Sequence, residues 1–164
     1  MTEVMSDSAV MQRRFNEALT FLNSQEGVDP ERTGAIGYCM GGGIVLAMLR
    51  AGADLDAVAS FHGSLGAALE GGSVPEGASV LVCTGADDPF VPAETLEAFE
   101  TAWSRAAGVG SQLKVISYPD ALHGFTNPGA TAFGERFDLP LRYDAEADVQ
   151  SWAAMKAMFA GAFE

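Results

Sequence analysis

The chain has 164 residues, 48% of them hydrophobic, and a formal net charge of -13 from 22 acidic against 9 basic residues. That length fits one domain, residues 1–164, with enough apolar content for a substantial core. The acidic balance speaks against nucleic acid and anionic membrane surfaces as partners.

The N-terminus, MTEVMSDSAVMQRRF, lacks a basic region followed by an apolar stretch, and IVLAML, the start of an apolar run, is stopped by Arg50. Neither a secretory signal nor a membrane span is expected. Two cysteines, Cys39 and Cys83, make no disulfide framework, which points to a reducing cytoplasm. The two histidines, His62 and His123, lie far apart outside any ligand-spaced cluster, so no metal and no cofactor is expected.

In chain order, Met11, Phe15, Ala18, Leu19 and Leu22 recur at three- and four-residue spacing. They predict an amphipathic helix over 6–23, capped by Ser6 or Asp7. After a Gly- and Pro-containing loop comes a strand over 33–38, then GYCMGGG, then a helix over 42–51. A second strand covers 57–62 and a glycine-rich loop covers 66–78. SVLVCTG, an almost continuous apolar run, reads as a buried parallel strand over 79–85. Pro92 and Glu94 mark a helix start, and that helix runs to about 107. QLKVISY is a fourth strand over 112–118. Residues 126–143 read as irregular or partly helical. A closing helix over 144–163 should bury Val149, Trp152, Ala153, Met155, Met158 and Phe159. The alternation of helix and strand predicts an α/β fold, a parallel four-stranded sheet with helices on both faces.

Gly37-Tyr38-Cys39-Met40-Gly41 has the G-x-nucleophile-x-G form of a strand-to-helix elbow. The glycines on either side of the nucleophile let strand and helix approach closely. Cys39 stands at a helix N-terminus, the positive end of the dipole, and the Met40 N–H is placed to donate to an oxyanion. A packing cysteine or a phosphate-binding turn would share the glycines. GYCMGGG, however, matches neither phosphate-binding glycine pattern.

In such sheets ligands bind beyond the carboxyl ends of the strands. Cys39 ends the first strand, Asp87 and Asp88 follow the third, and His123 follows the fourth. Nucleophile, acid and histidine occur in the order of the α/β-hydrolase triad. Pattern alone leaves Asp87 and Asp88 both open as the acid. It leaves His62 open as a rival base, a pocket residue or a packing residue. Cys83, inside a strand, reads as core.

GYCMGGG, GADDPFVPAE and YPDALHGFTNPG resemble the three motif blocks of the dienelactone hydrolase family. Its members are α/β-hydrolases with a Cys-Asp-His triad. The resemblance implies Cys39 as nucleophile, Asp88 as acid and His123 as base. Phe61-His62-Gly63 is also similar to a family pattern, which implies a structural or pocket role for His62, and His62, Phe90, Phe125 and Asn127 are the candidate substrate-binding residues. Dienelactone-specific members carry arginine four residues after the histidine, where this chain has Asn127, so dienelactone itself is not the expected substrate. Family members also carry several strands before the helix over 6–23. This chain should therefore be a partial α/β-hydrolase fold, lacking the family's N-terminal strands and the second oxyanion donor they supply.

The resulting expectation is a carboxylic ester or lactone hydrolase acting on a small molecule through an acyl-cysteine. Two other readings stand beside it. One is a weakly active or inactive truncated piece that assembles, as a homo-oligomer or with a missing N-terminal segment, over the first strand's bare edge. The other is a thioesterase or transacylase. Phe133, Phe137 and Tyr143 are candidate pocket walls.

Overall fold

A computed structural model describes residues 7–164. The elements in order are α1 (Ser8–Asn23), β1 (Gly34–Tyr38), α2 (Met40–Arg50), β2 (Ala57–Phe61), a 3-10 turn (Leu65–Ala68), β3 (Ser79–Gly85), α3 (Ala93–Ala106), β4 (Gln112–Tyr118), α4 (Ala130–Phe137) and α5 (Ala145–Ala162). Four parallel strands stand in the order β1-β2-β3-β4, so the chain adds each new strand to the outer side of the last.

Successive side chains of a strand point to opposite faces, and this divides the core in two. Val58, Val80 and Val82 face α2, α3 and the 3-10 turn, with Leu46, Leu49, Phe99 and Trp103. Met11, Phe15 and Leu19 of α1 join that layer from its margin. Ala59, Phe61, Leu81 and Cys83 face the other way, under Phe125 and under Ala147 and Met155 of α5. Each fully buried aliphatic or aromatic side chain here contributes roughly 1.5–3 kcal/mol. β2 is buried throughout, while β1 leaves Ile36 and Tyr38 exposed at the sheet edge.

The expected elements form, with differences of physical origin. Asp7 caps α1 by accepting from the Ala9 and Val10 N–H groups; the other candidate cap, Ser6, lies outside the described residues. Ala18 and Leu22 are exposed rather than buried, because α1 touches the core along one narrow stripe. α2 starts at Met40, two residues earlier than the expected 42, because Cys39 itself makes the break with φ +52°. β2 stops at Phe61 because His62 has φ +40°. The glycine-rich loop contains the 3-10 turn, whose Leu65 and Ala68 are buried.

In α5 the expected burial is half right. Met155 is buried and Met158 and Phe159 partly so, but Val149, Trp152 and Ala153 are exposed. The buried line is Ala147, Ser151 and Met155 at four-residue spacing. Apolar residues occur on every side of this helix, so periodicity could not single out that line.

Candidate active site

The elbow between β1 and α2 depends on close backbone approach. A Cβ at Gly37 would overlap the carbonyl of Gly41, and one at Gly42 would sit 2.5 Å from Ser60 Oγ and 2.8 Å from Gly63 Cα. A Cβ at Gly41 would meet nothing within 4 Å. The glycine two residues after Cys39 is therefore not the one the packing requires; Gly42 is. Cys39 takes φ +52°, a left-handed conformation uncommon outside glycine, and lifts Sγ clear of the sheet. The Met40 N–H, first in the helix, has no acceptor among the described residues.

Sγ of Cys39 lies 3.1 Å from Nε2 of His123. Nδ1 of His123 donates to Oδ2 of Asp88 at 2.8 Å. Asp88 is 3% exposed, and its Oδ1 also accepts from the Phe90 N–H at 2.8 Å. Asp87 is exposed and takes no part. Burial by itself would lower the His123 pKa. The hydrogen bonds to Asp88 and then Cys39, with the charges of both, outweigh it and hold the imidazole above its ordinary value. Gly124, at φ +73°, turns the chain after His123, and the strap that follows is tied back where the Arg142 N–H donates to the His123 carbonyl.

A cavity of about 520 Å³ opens over Cys39. Of the expected neighbours, His62 and Asn127 line it, as does Phe133 from α4. Phe90 departs from the expectation: it is exposed and does not line the cavity, its ring standing edge-on to His123 at 5.0 Å. Phe125 is a correction: it is fully buried, packed under His62 and beside Tyr118, and cannot touch substrate. Neither Phe137 nor Tyr143 lines the cavity. The Tyr143 hydroxyl instead donates to Asp148, which does. Cys83 is core, with burial pushing its thiol up to about 11. Among the described residues no group of three potential ligands could hold a metal ion, and no helix is long and apolar enough to cross a membrane.

The sequence profile of the dienelactone hydrolase family matches residues 1–163. The chain belongs to the dienelactone hydrolase family. It is 36% identical to a dienelactone hydrolase-like promiscuous phosphotriesterase from metagenomic libraries, covering all of this chain and 66% of that one, with a TM-score of 0.82. A structure named m3DLH is 34% identical over 99% of this chain and 65% of that chain, with a TM-score of 0.80. The chain thus spans about two-thirds of those solved relatives. An uncharacterized protein of Caenorhabditis elegans, K02A2.1, is 33% identical over 155 residues and is matched over 92% of both chains.

Within this dienelactone hydrolase fold, several cavity residues carried no sequence signal of their own. Tyr38 sits between Gly37 and Cys39, and strand alternation turns it away from the buried side. Asp148 arrives from α5, over one hundred residues after the elbow. Gly124, Thr126 and Pro128 lie in the YPDALHGFTNPG block, within reach of a motif argument, and Thr126 bonds His62.

Proposed function

We propose that this chain hydrolyses small carboxylic esters or lactones through Cys39, His123 and Asp88. The observation that carries the reading is the continuous relay from Sγ through both imidazole nitrogens to a buried carboxylate, 3.1 and 2.8 Å long. His123 Nε2 takes the thiol proton, or pairs with the thiolate, and Sγ attacks the carbonyl carbon. The Met40 N–H stabilises the oxyanion, a contribution of about 3 kcal/mol for a donor of this kind. Collapse of the tetrahedral adduct breaks the ester C–O bond, and His123 protonates the leaving alkoxide. The acyl-cysteine is then attacked by water, which gives its proton to His123, and the acid leaves with Cys39 restored. Asp88 keeps the imidazole in the tautomer this requires and stabilises its cation.

The cavity lining supports a neutral substrate. Apart from Cys39 and the two histidines, its one charged lining residue among the described residues is Asp148, and Asn127 offers no positive charge to a substrate carboxylate. The Asn127 side-chain oxygen is already engaged by the Gly129 N–H. The test is Cys39→Ala against p-nitrophenyl esters and lactones, with a phosphotriester added because a 36% identical structure bears a phosphotriesterase name. Loss of turnover on the carboxylic esters supports the reading. Undiminished turnover in Cys39→Ala refutes it.

A further inference from the structure

We propose that His62 is a positioning residue for the nucleophile, clamping the Cys39 backbone on one side and the His123 strap on the other. The role rests on Cys39 being the nucleophile.

The clamp follows from two hydrogen bonds. The Cys39 N–H is shared between the Phe61 carbonyl at 3.0 Å and Nδ1 of His62 at 3.2 Å. Nδ1 can accept only if it carries no proton, so the neutral ring bears its hydrogen on Nε2. Nε2 lies 2.8 Å from Thr126 Oγ1 and donates to it. Thr126 is three residues beyond His123 on the strap that closes the cavity. One ring therefore ties the elbow to the segment that presents the base. Both nitrogens are committed, so His62 has no polar atom left to bind substrate or to take the Cys39 proton.

The backbone points the same way. Cys39 and His62 both have positive φ, +52° and +40°. Two strained residues joined by a hydrogen bond hold their strained forms only where the surroundings over-determine them. Phe125 supplies the floor, edge-on to the His62 ring at 5.2 Å. His123 stands edge-on to the same ring at 5.0 Å. Burial, with the His123 charge adding to it, lowers the His62 pKa to about 4. The ring stays neutral and keeps its accepting lone pair even while His123 is protonated.

The test is alkylation of Cys39 by iodoacetamide from pH 5 to 9, read by peptide mass spectrometry, with fully buried Cys83 as the internal reference. In His62→Asn the side-chain oxygen stands near Nδ1, and asparagine tolerates a left-handed backbone. In His62→Gln the amide stands near Nε2 and leaves nothing at Nδ1. His62→Leu keeps bulk with no acceptor. His62→Asn should stay within about threefold of wild type. His62→Gln and His62→Leu should lose about tenfold or more near neutral pH, with the rate–pH curve moved to higher pH and kcat on an ester lowered at unchanged KM. Thr126→Val should give a smaller loss of the same kind.

A wild-type rate–pH curve in folded His62→Leu, or in His62→Gln should the leucine variant not fold, overturns the proposal. So does a His62→Asn curve as impaired as that of His62→Gln. The predicted alkylation pattern without ester turnover in any variant would refute the hydrolase reading and leave the positioning role standing.

Discussion

Replacing Asp88 by asparagine changes one atom at the buried end of the relay. The asparagine oxygen can keep the Phe90 N–H bond at the Oδ1 position. The amide nitrogen then takes the Oδ2 place, 2.8 Å from His123 Nδ1, and presents a donor where an acceptor stood. The imidazole must turn its lone pair to Nδ1 and carry its proton on Nε2. It then faces Cys39 with a hydrogen and cannot receive the thiol proton. The corresponding tautomer error in a serine triad costs about 10⁴ in kcat, and each tenfold is 1.36 kcal/mol of barrier. Asp88→Asn should therefore lower kcat/KM by about 10³–10⁴, or roughly 4–5.5 kcal/mol. Folding stability should fall by only about 1 kcal/mol, since a neutral hydrogen bond replaces a charge-assisted one. The hydrogen bond to Asp88 is the largest influence raising the His123 pKa, so the acid limb of kcat/KM should also move to lower pH. The assay is p-nitrophenyl ester hydrolysis against pH, with urea unfolding of the same sample. A folded Asp88→Asn enzyme within threefold of wild type would refute the relay as the source of nucleophilicity.

The two histidines should oppose each other in the pH dependence of stability. His62, near 4 when folded and near 6.5 when unfolded, contributes stability that is full above 6.5 and declines as pH falls toward 4. The limit is about 3 kcal/mol. His123, raised in the fold, contributes stability that is full below about 6.5 and is lost as pH rises through its folded value. Urea unfolding from pH 4 to 9 should show His62→Asn flattening the acid side and His123→Asn the alkaline side; identical curves for all three proteins would contradict both assignments. Gly42→Ala pushes a methyl into Ser60 and Gly63 and should cost about 1–3 kcal/mol with loss of activity. Gly41→Ala, with open space around its Cβ, should leave the melting temperature unchanged or raise it. Arg50 is 5% exposed, and its guanidinium donates to the carbonyls of Ala68, Leu69, Gly71 and Gly72. Arg50→Met should destabilise the fold by about 2–4 kcal/mol in thermal or urea unfolding, because those acceptors lose their donor.

Arg50 shows why parts of this fold could not be read from its residues. In sequence it only interrupts an apolar run. Its role as the anchor of the loop over 65–72 exists because that loop folds back across the end of α2. α5 makes the same point from the other side. Val149 and Trp152 look as apolar as Met155, and only the sheet's position under the helix decides which are covered. Phe125 follows an exposed-looking histidine motif, yet the chain turns it inward onto Tyr118.

The sequence by itself determined the order of elements, the parallel sheet and the three chemical positions after its strands. Those depend on local signals: apolar runs, glycines at a tight turn, and polar residues immediately beyond strand ends. Residue pattern left Asp87 and Asp88 both open and the family resemblance pointed to Asp88; tertiary structure supplies the physical reason, since Asp88 is buried against His123 while Asp87, one residue earlier, is exposed. Tertiary structure alone moved the steric demand from Gly41 to Gly42, because the obstacle is Ser60 and Gly63 on another strand end. It also turned His62 from a rival base into a cavity-lining ring with both nitrogens engaged. Hydrogen-bond partners 23 and 64 residues away in sequence make that assignment, and no local pattern encodes them.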